Sequence, residues 1–119
     1  MPEIITQIKD FSYLKKILEQ NPGLVVLKFG ADWCGPCKTI EPVVEHWIKT
    51  SPSNVQFCII NTDKNPEIYS FFKTKIKLRG IPALLCWKKK NVEYYPDDIV
   101  IGGSINIVNS FFERCKALL

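Results

Sequence analysis

The 119 residues carry 46% hydrophobic and 24% charged side chains, a balance that excludes a disordered chain and suits one globular domain spanning 1–119. The net charge of +4 is mild, and its clusters, Lys73-Lys75-Lys77-Arg79 and Lys88-Lys89-Lys90, lack interleaved aromatics and any nucleic-acid motif. They read as solvated surface able to steer acidic protein partners, not as a nucleic-acid interface. The odd count of five cysteines cannot pair fully within one chain. No apolar run has the length of a membrane span, no basic-then-apolar leader opens the chain, and no Asn-x-Ser/Thr sequon occurs. The expectation is a monomer in the reducing cytoplasm, where a Cys-x-x-Cys is catalytic or metal-binding rather than structural.

In chain order, "EIITQI" (3–8) is a short strand candidate. Asp10 or Ser12 can cap a helix with Phe11, Leu14, Ile17 and Leu18 on one face, ended by "NPG" at 21–23. "LVVLKFGA" (24–31) is nearly continuous in apolar residues, as expected of a strand buried on both faces. Ile40, Val43, Val44, Trp47 and Ile48 then recur at helical spacing, with Pro42 inside the helix, where it removes a donor and should kink it. "VQFCIIN" (55–61) is another buried strand, and "NPEIYSFFK" (65–73) a helix opened by proline with Ile68, Phe71 and Phe72 on one side. "IPALLCW" (81–87) and "DIVI" (98–101) follow as strands. Gly102-Gly103 breaks the chain, and Ser104 caps a last helix with Ile105, Val108, Phe112, Cys115 and Leu119 in one stripe. The βα alternation implies a parallel core and the two late strands an antiparallel hairpin. The fold class is α/β, a central mixed sheet with helices on both faces.

The chemistry is concentrated in "ADWCGPCK" (31–38). Cys34 follows a central strand and opens a helix, whose free amides and partial positive charge stabilise a thiolate, the reactive form of the thiol. Cys37 lies one turn later on the same side, placed to attack a mixed disulfide formed at Cys34. Gly35 lets a substrate backbone approach. Pro36 stiffens the first turn, where its missing amide proton does no harm. Trp33 would shield one side of the pair. A zinc site would need further ligands, and Cys58, Cys86, Cys115 and His46 form no second close pair. A core-cysteine reading sits poorly with Gly-Pro between the thiols. A dithiol/disulfide centre without bound metal fits best.

"WCGPCK" in full, with "RGIPALL" (79–85), resembles the thioredoxin family, and the likeness runs from the first strand to the last helix. It implies the thioredoxin fold and a disulfide reductase with no bound cofactor, in which Cys34 attacks and Cys37 resolves. It also implies disulfide-containing protein substrates and a flavoenzyme, thioredoxin-reductase-like donor or a small thiol. Pro82 resembles the family's cis-proline, and Ile81 and Pro82 would line the substrate groove, with the Ile81 backbone pairing to the bound peptide. Asp63-Lys64-Asn65-Pro66 resembles the turn after the middle strand, Pro42 the helix-kinking proline, and Gly102 or Gly103 the glycine before the last helix. Two features depart from the pattern. Lys28 stands where the family usually buries an aspartate, and Ile59 where bacterial members often place a lysine. "KKKNVEYYPDD" also lengthens the late hairpin, read as a tolerated insertion.

A lysine in an apolar strand either snorkels to the surface or loses its proton, so Lys28 is a candidate redox-tuning residue beside Trp33, Gly35 and Pro36. Cys58, Cys86 and Cys115 read as buried inert thiols, His46 as a surface or boundary residue, and Trp47 and Trp87 as core. Two alternatives to a reductase stand: a more oxidising oxidase or isomerase, favoured by Lys28, and a docking module that uses the groove without turnover.

Overall fold

The structure, a computed structural model, describes residues 2–119. Helices α1 (Phe11–Glu19), α2 (Gly35–Thr50), α3 (Pro66–Lys75) and α4 (Ile105–Lys116) alternate with strands β1 (Leu24–Gly30), β2 (Val55–Asn61), β3 (Ala83–Lys88) and β4 (Asp98–Ile101). The sheet order is β2-β1-β3-β4. β1 runs parallel to β2 but antiparallel to β3, and β3–β4 is an antiparallel hairpin. The sheet is mixed as expected, and its parallel part is smaller than βα alternation suggested.

Strand alternation sorts the core onto two faces. Val25, Leu27 and Phe29 point to the side covered by α1 and α3, where they meet Leu14, Leu18, Ile68 and Phe72. Leu24 and Val26 point to the side covered by α2 and α4, with Ile40, Val44, Phe111 and Phe112. Trp87 and Phe29 are fully buried, and each such side chain contributes about 1.5–3 kcal/mol relative to exposure. Lys28 shares parity with Val26, so its side chain goes to the α2 face.

The caps follow the sequence: Asp10 accepts the Tyr13 amide and Ser104 the Ile107 amide. Pro42 lies within one continuous α2. In α4 the buried stripe is Val108, Phe111, Phe112 and Cys115. Ile105 and Leu119, expected in it, are exposed at 45% and 44%.

The expected strand at 3–8 reduces to one bridge. The Ile5 amide donates to Phe57 O and the Ile59 amide to Ile5 O, but the Ile8 amide turns away to the buried Asn65 side chain. Asn65 also donates to Thr6 O and Asn61 O, so this polar residue claims the segment that would have continued the ladder. β3 starts at Ala83, not Ile81, because Pro82 has no amide to give a ladder. The long connection after β3 is tied down. Trp87 Nε1 donates to Glu93 O, Asp97 accepts from Lys88 N and Asn91, and Tyr94 packs on Phe11 and Phe71.

Candidate active site

β1 ends at Gly30, and a short loop delivers Cys34 to the N-cap of α2. Its backbone is extended (φ −86°, ψ 106°), and its Sγ accepts the Cys37 amide at 3.2 Å. That contact gives a sulfur anion a donor in addition to the helix-end charge. Pro36 occupies the first turn. Cys34 and Cys37, 4% and 2% exposed, are joined as a disulfide with their Cα atoms 5.3 Å apart. The dithiol pairing inferred from spacing is thus met by geometry, in its oxidised state.

Around the pair, Ile81 and Ala31 supply apolar contact. The Ile81 carbonyl lies 3.9 Å from Cys34 Sγ, and the Ile81–Pro82 peptide is cis. Gly35 faces open space, since a Cβ there would meet no atom within 4 Å. Trp33 adjoins Cys34 in the loop before α2. It is 70% exposed, its indole N–H held by Asp63 Oδ2 at 2.8 Å. With Asp63, Tyr69, Lys73 and Ile81 it borders a groove of about 570 Å³ beside the cysteines.

Lys28 is buried behind the pair, opposite Ile59 in the β1–β2 register. Burial lowers its pKa, while Glu41 and Glu45 on α2 favour the ammonium. It does not reach out into solvent as a snorkelling lysine would. Gly30 explains how it fits. A Cβ at Gly30 would stand 3.5 Å from Cys37 Sγ and 3.7 Å from Lys28 Cε, so the missing side chain leaves room between them.

The remaining cysteines lie elsewhere. Burial pushes the Cys58 thiol up to about 12. Cys115 shares a hydrogen bond with Cys86, and that bond, with burial, holds its thiol well above the ordinary range. Such thiols are poor nucleophiles. His46 is exposed on α2, edge-on to Trp47. Among the described residues no three His, Cys, Asp or Glu side chains gather where a metal could bind.

Asp63 and Gly103 entered the sequence reading only as a turn residue and a helix-preceding glycine, and Glu41 was not singled out. Asp63 reaches Trp33 across thirty positions, a contact no local pattern encodes. Gly103 packs on Pro36 through tertiary approach alone. Glu41 had a readable signal: it lies four residues after Cys37, hence on its helix face.

Comparison with known proteins agrees with this geometry. The family profile described as thioredoxin matches residues 4–104. A thioredoxin of Pseudomonas aeruginosa is 34% identical over 93 residues, covering 78% of this chain and 82% of that protein. One from Buchnera aphidicola is 35% identical over 92 residues, covering 77% and 80%. The solved structure of Trichomonas vaginalis thioredoxin superposes with a TM-score of 0.72 at 26% identity, covering 92% of this chain and 96% of that one. A profile spanning most of the chain, and an oxidisable Cys-x-x-Cys at a helix start beside a cis-proline, lead to one conclusion: the chain belongs to the thioredoxin family and is a thiol–disulfide oxidoreductase that reduces protein disulfides.

Proposed function

We propose that Cys34 is the attacking thiol and Cys37 the resolving thiol of this reductase. The carrying observation is the N-cap position of Cys34, whose sulfur accepts the Cys37 amide. Cys34 as thiolate attacks one sulfur of a substrate disulfide, the S–S bond breaks, and one substrate thiolate leaves. Cys37 then attacks Cys34 Sγ, releases the second substrate thiolate, and closes the intramolecular disulfide. Two electrons have passed to the substrate. A flavoenzyme reductase or a small thiol returns them.

In this reading Ile81 and Pro82 form the wall on which the substrate peptide lies, and Gly35 keeps the approach open. Trp33, fixed by Asp63, borders the same groove, and Pro36 stiffens the turn that holds both sulfurs. The chain works as a monomeric single domain in a reducing compartment, the cytoplasm. Three buried unpaired thiols support that compartment. The buried Lys28 favours a reductase poised toward the oxidising end of its family.

The test is trapping. Cys37→Ser protein should accumulate mixed disulfides with its substrates through Cys34, and Cys34→Ser should form none and lose reductase activity. Stable adducts of Cys34→Ser through Cys37 would reverse the two roles.

A further inference from the structure

Cys37 has a proton to lose and is only 2% exposed, so the acceptor must be reached through the space beside its sulfur. Its sulfur lies beside the space left by Gly30. That space belongs to a cavity of about 300 Å³ whose charged lining is Lys28, Asp32, Glu41 and Lys64. Lys28 reaches the same space, its Cε 3.7 Å from the point where a Gly30 Cβ would stand. Burial lowers its pKa against the opposing pull of Glu41 and Glu45, and whenever it is an ammonium it can stabilise a thiolate but cannot accept a proton. Lys64 is likewise a donor. The acceptors are the two carboxylates. Asp32 is already engaged by the Asn61 side chain at 3.3 Å. Glu41 is one helical turn from Cys37, on the same helix face, lines the cavity, and acts electrostatically on Lys28.

We propose that Glu41 is the proton acceptor for the resolving thiol, with Lys28 as the positioning residue that holds its carboxylate at the cavity. The inference rests on Cys37 being the resolving thiol. In the mixed disulfide, the Cys37 S–H gives its proton through cavity solvent to the Glu41 carboxylate. The resulting thiolate attacks Cys34 Sγ. The Cys34–Cys37 bond forms as the Cys34–substrate bond breaks, and the substrate sulfur leaves with the electron pair. Glu41, now a carboxylic acid, returns its proton to solvent or to the departing thiolate. Atoms and electrons balance with no further reactant.

The alternative, that Glu41 acts only as a fixed negative charge, differs in sign. A nearby carboxylate disfavours the Cys37 thiolate, so removing it would make the thiol more acidic and resolution faster. Removing a base makes resolution slower.

The experiment mixes reduced protein with one equivalent of 5,5′-dithiobis(2-nitrobenzoate). It follows release of the first chromophoric thiolate (attack by Cys34) and the second (resolution by Cys37) from pH 5.5 to 9.5. Glu41→Gln should leave the first release unchanged and slow the second by about a hundredfold near neutral pH, the scale of a positioned base. The difference should close at alkaline pH, where the thiol ionises unaided, and Glu41→Asp should recover part of the rate. Glu41 is exposed, so the variants should fold, which matching denaturant curves would establish. A second release at wild-type rate or faster in Glu41→Gln overturns the proposal. Failure of the underlying assignment looks different: Cys34→Ser, and not Cys37→Ser, would then give the fast first release and stall after it.

Discussion

Gly103 and Pro36 approach so closely that a Cβ on Gly103 would stand 2.8 Å from the Pro36 Cβ and 3.0 Å from its carbonyl oxygen. The loop before α4 thereby braces the first turn of α2, the turn that holds both sulfurs. Gly103→Ala must displace backbone or a proline ring, neither of which yields cheaply. The expected cost is about 1–3 kcal/mol of stability, with slower disulfide reduction. Gly102→Ala has no such neighbour, but its φ of +113° is left-handed, so it too should destabilise, by about 1 kcal/mol. Denaturant unfolding of both variants, beside insulin-reduction rates, separates the effects. Only Gly103→Ala should lose activity beyond what its lost stability explains.

Much of this site could be read along the chain, because its main parts are local. Cys34, Pro36 and Cys37 lie within one turn, and a strand running into a capped helix announces their placement. The apolar runs of β1, β2 and β3 were equally plain. What escaped reading depended on partners distant in sequence. The segment 3–8 has a strand's composition, yet Asn65 takes the Ile8 amide and ends the ladder at one bridge. The partner that fixes Trp33, Asp63, lies thirty positions away. The long β3–β4 connection read as a tolerated insertion, and the contacts of Trp87 and Asp97 that anchor it were not legible.

The Trp33–Asp63 bond lies at the surface, so breaking it should cost little stability and more function. Asp63→Ala is expected to change unfolding free energy by less than about 1 kcal/mol. Freed from its anchor, Trp33 should sample several positions at the groove edge and raise KM for protein substrates with a smaller effect on kcat. Steady-state insulin reduction checks the split, and an unchanged KM would show that the anchor has no part in substrate binding.

Cys58, Cys86 and Cys115 should be chemically silent in the folded protein. With the Cys34–Cys37 disulfide closed, iodoacetamide at pH 8 should label none of them until denaturant is added. Their joint replacement by Ala or Val should keep turnover at a cost of about 1 kcal/mol per site. Cys58 also carries a pH signature. Its folded pKa, about 12, lies above the value of a free thiol, so the neutral form is favoured by folding. The stability this confers is complete below the free-thiol pKa and is lost as pH rises toward 12. Cys58→Ala should therefore show a shallower fall of stability above pH 9. Parallel curves for the two proteins would contradict the shift.

Lys28 raises the sharpest question, because a buried cation behind a dithiol acts on the reduced and oxidised states unequally. Burial lowers its pKa and Glu41 and Glu45 partly oppose that shift; the charge that bears on the dithiol is the ammonium. A thiolate on Cys37 is stabilised by it, and a disulfide is not. The reduced form gains, and the reduction potential rises. The wild-type protein should thus be a weaker reductant than the about −270 mV typical of thioredoxin. Lys28→Leu should lower the potential by about 30 mV if the Cys37 pKa rises by about one unit. The difference has a definite pH window. Where both Cys34 and Cys37 are protonated, at the acidic end, the two proteins should coincide. As pH rises and the thiolate forms, the curves should part, and they should meet again once Lys28 itself loses its proton. Stability carries an independent sign. With its pKa depressed by folding, the ammonium costs free energy that is relieved only as pH rises through that lowered pKa, so Lys28→Leu should be the more stable protein at neutral pH. Redox titration against glutathione at several pH values, with unfolding curves on the same two proteins, checks both. Coincident potentials at every pH would show that Lys28 has no electrostatic hold on the dithiol.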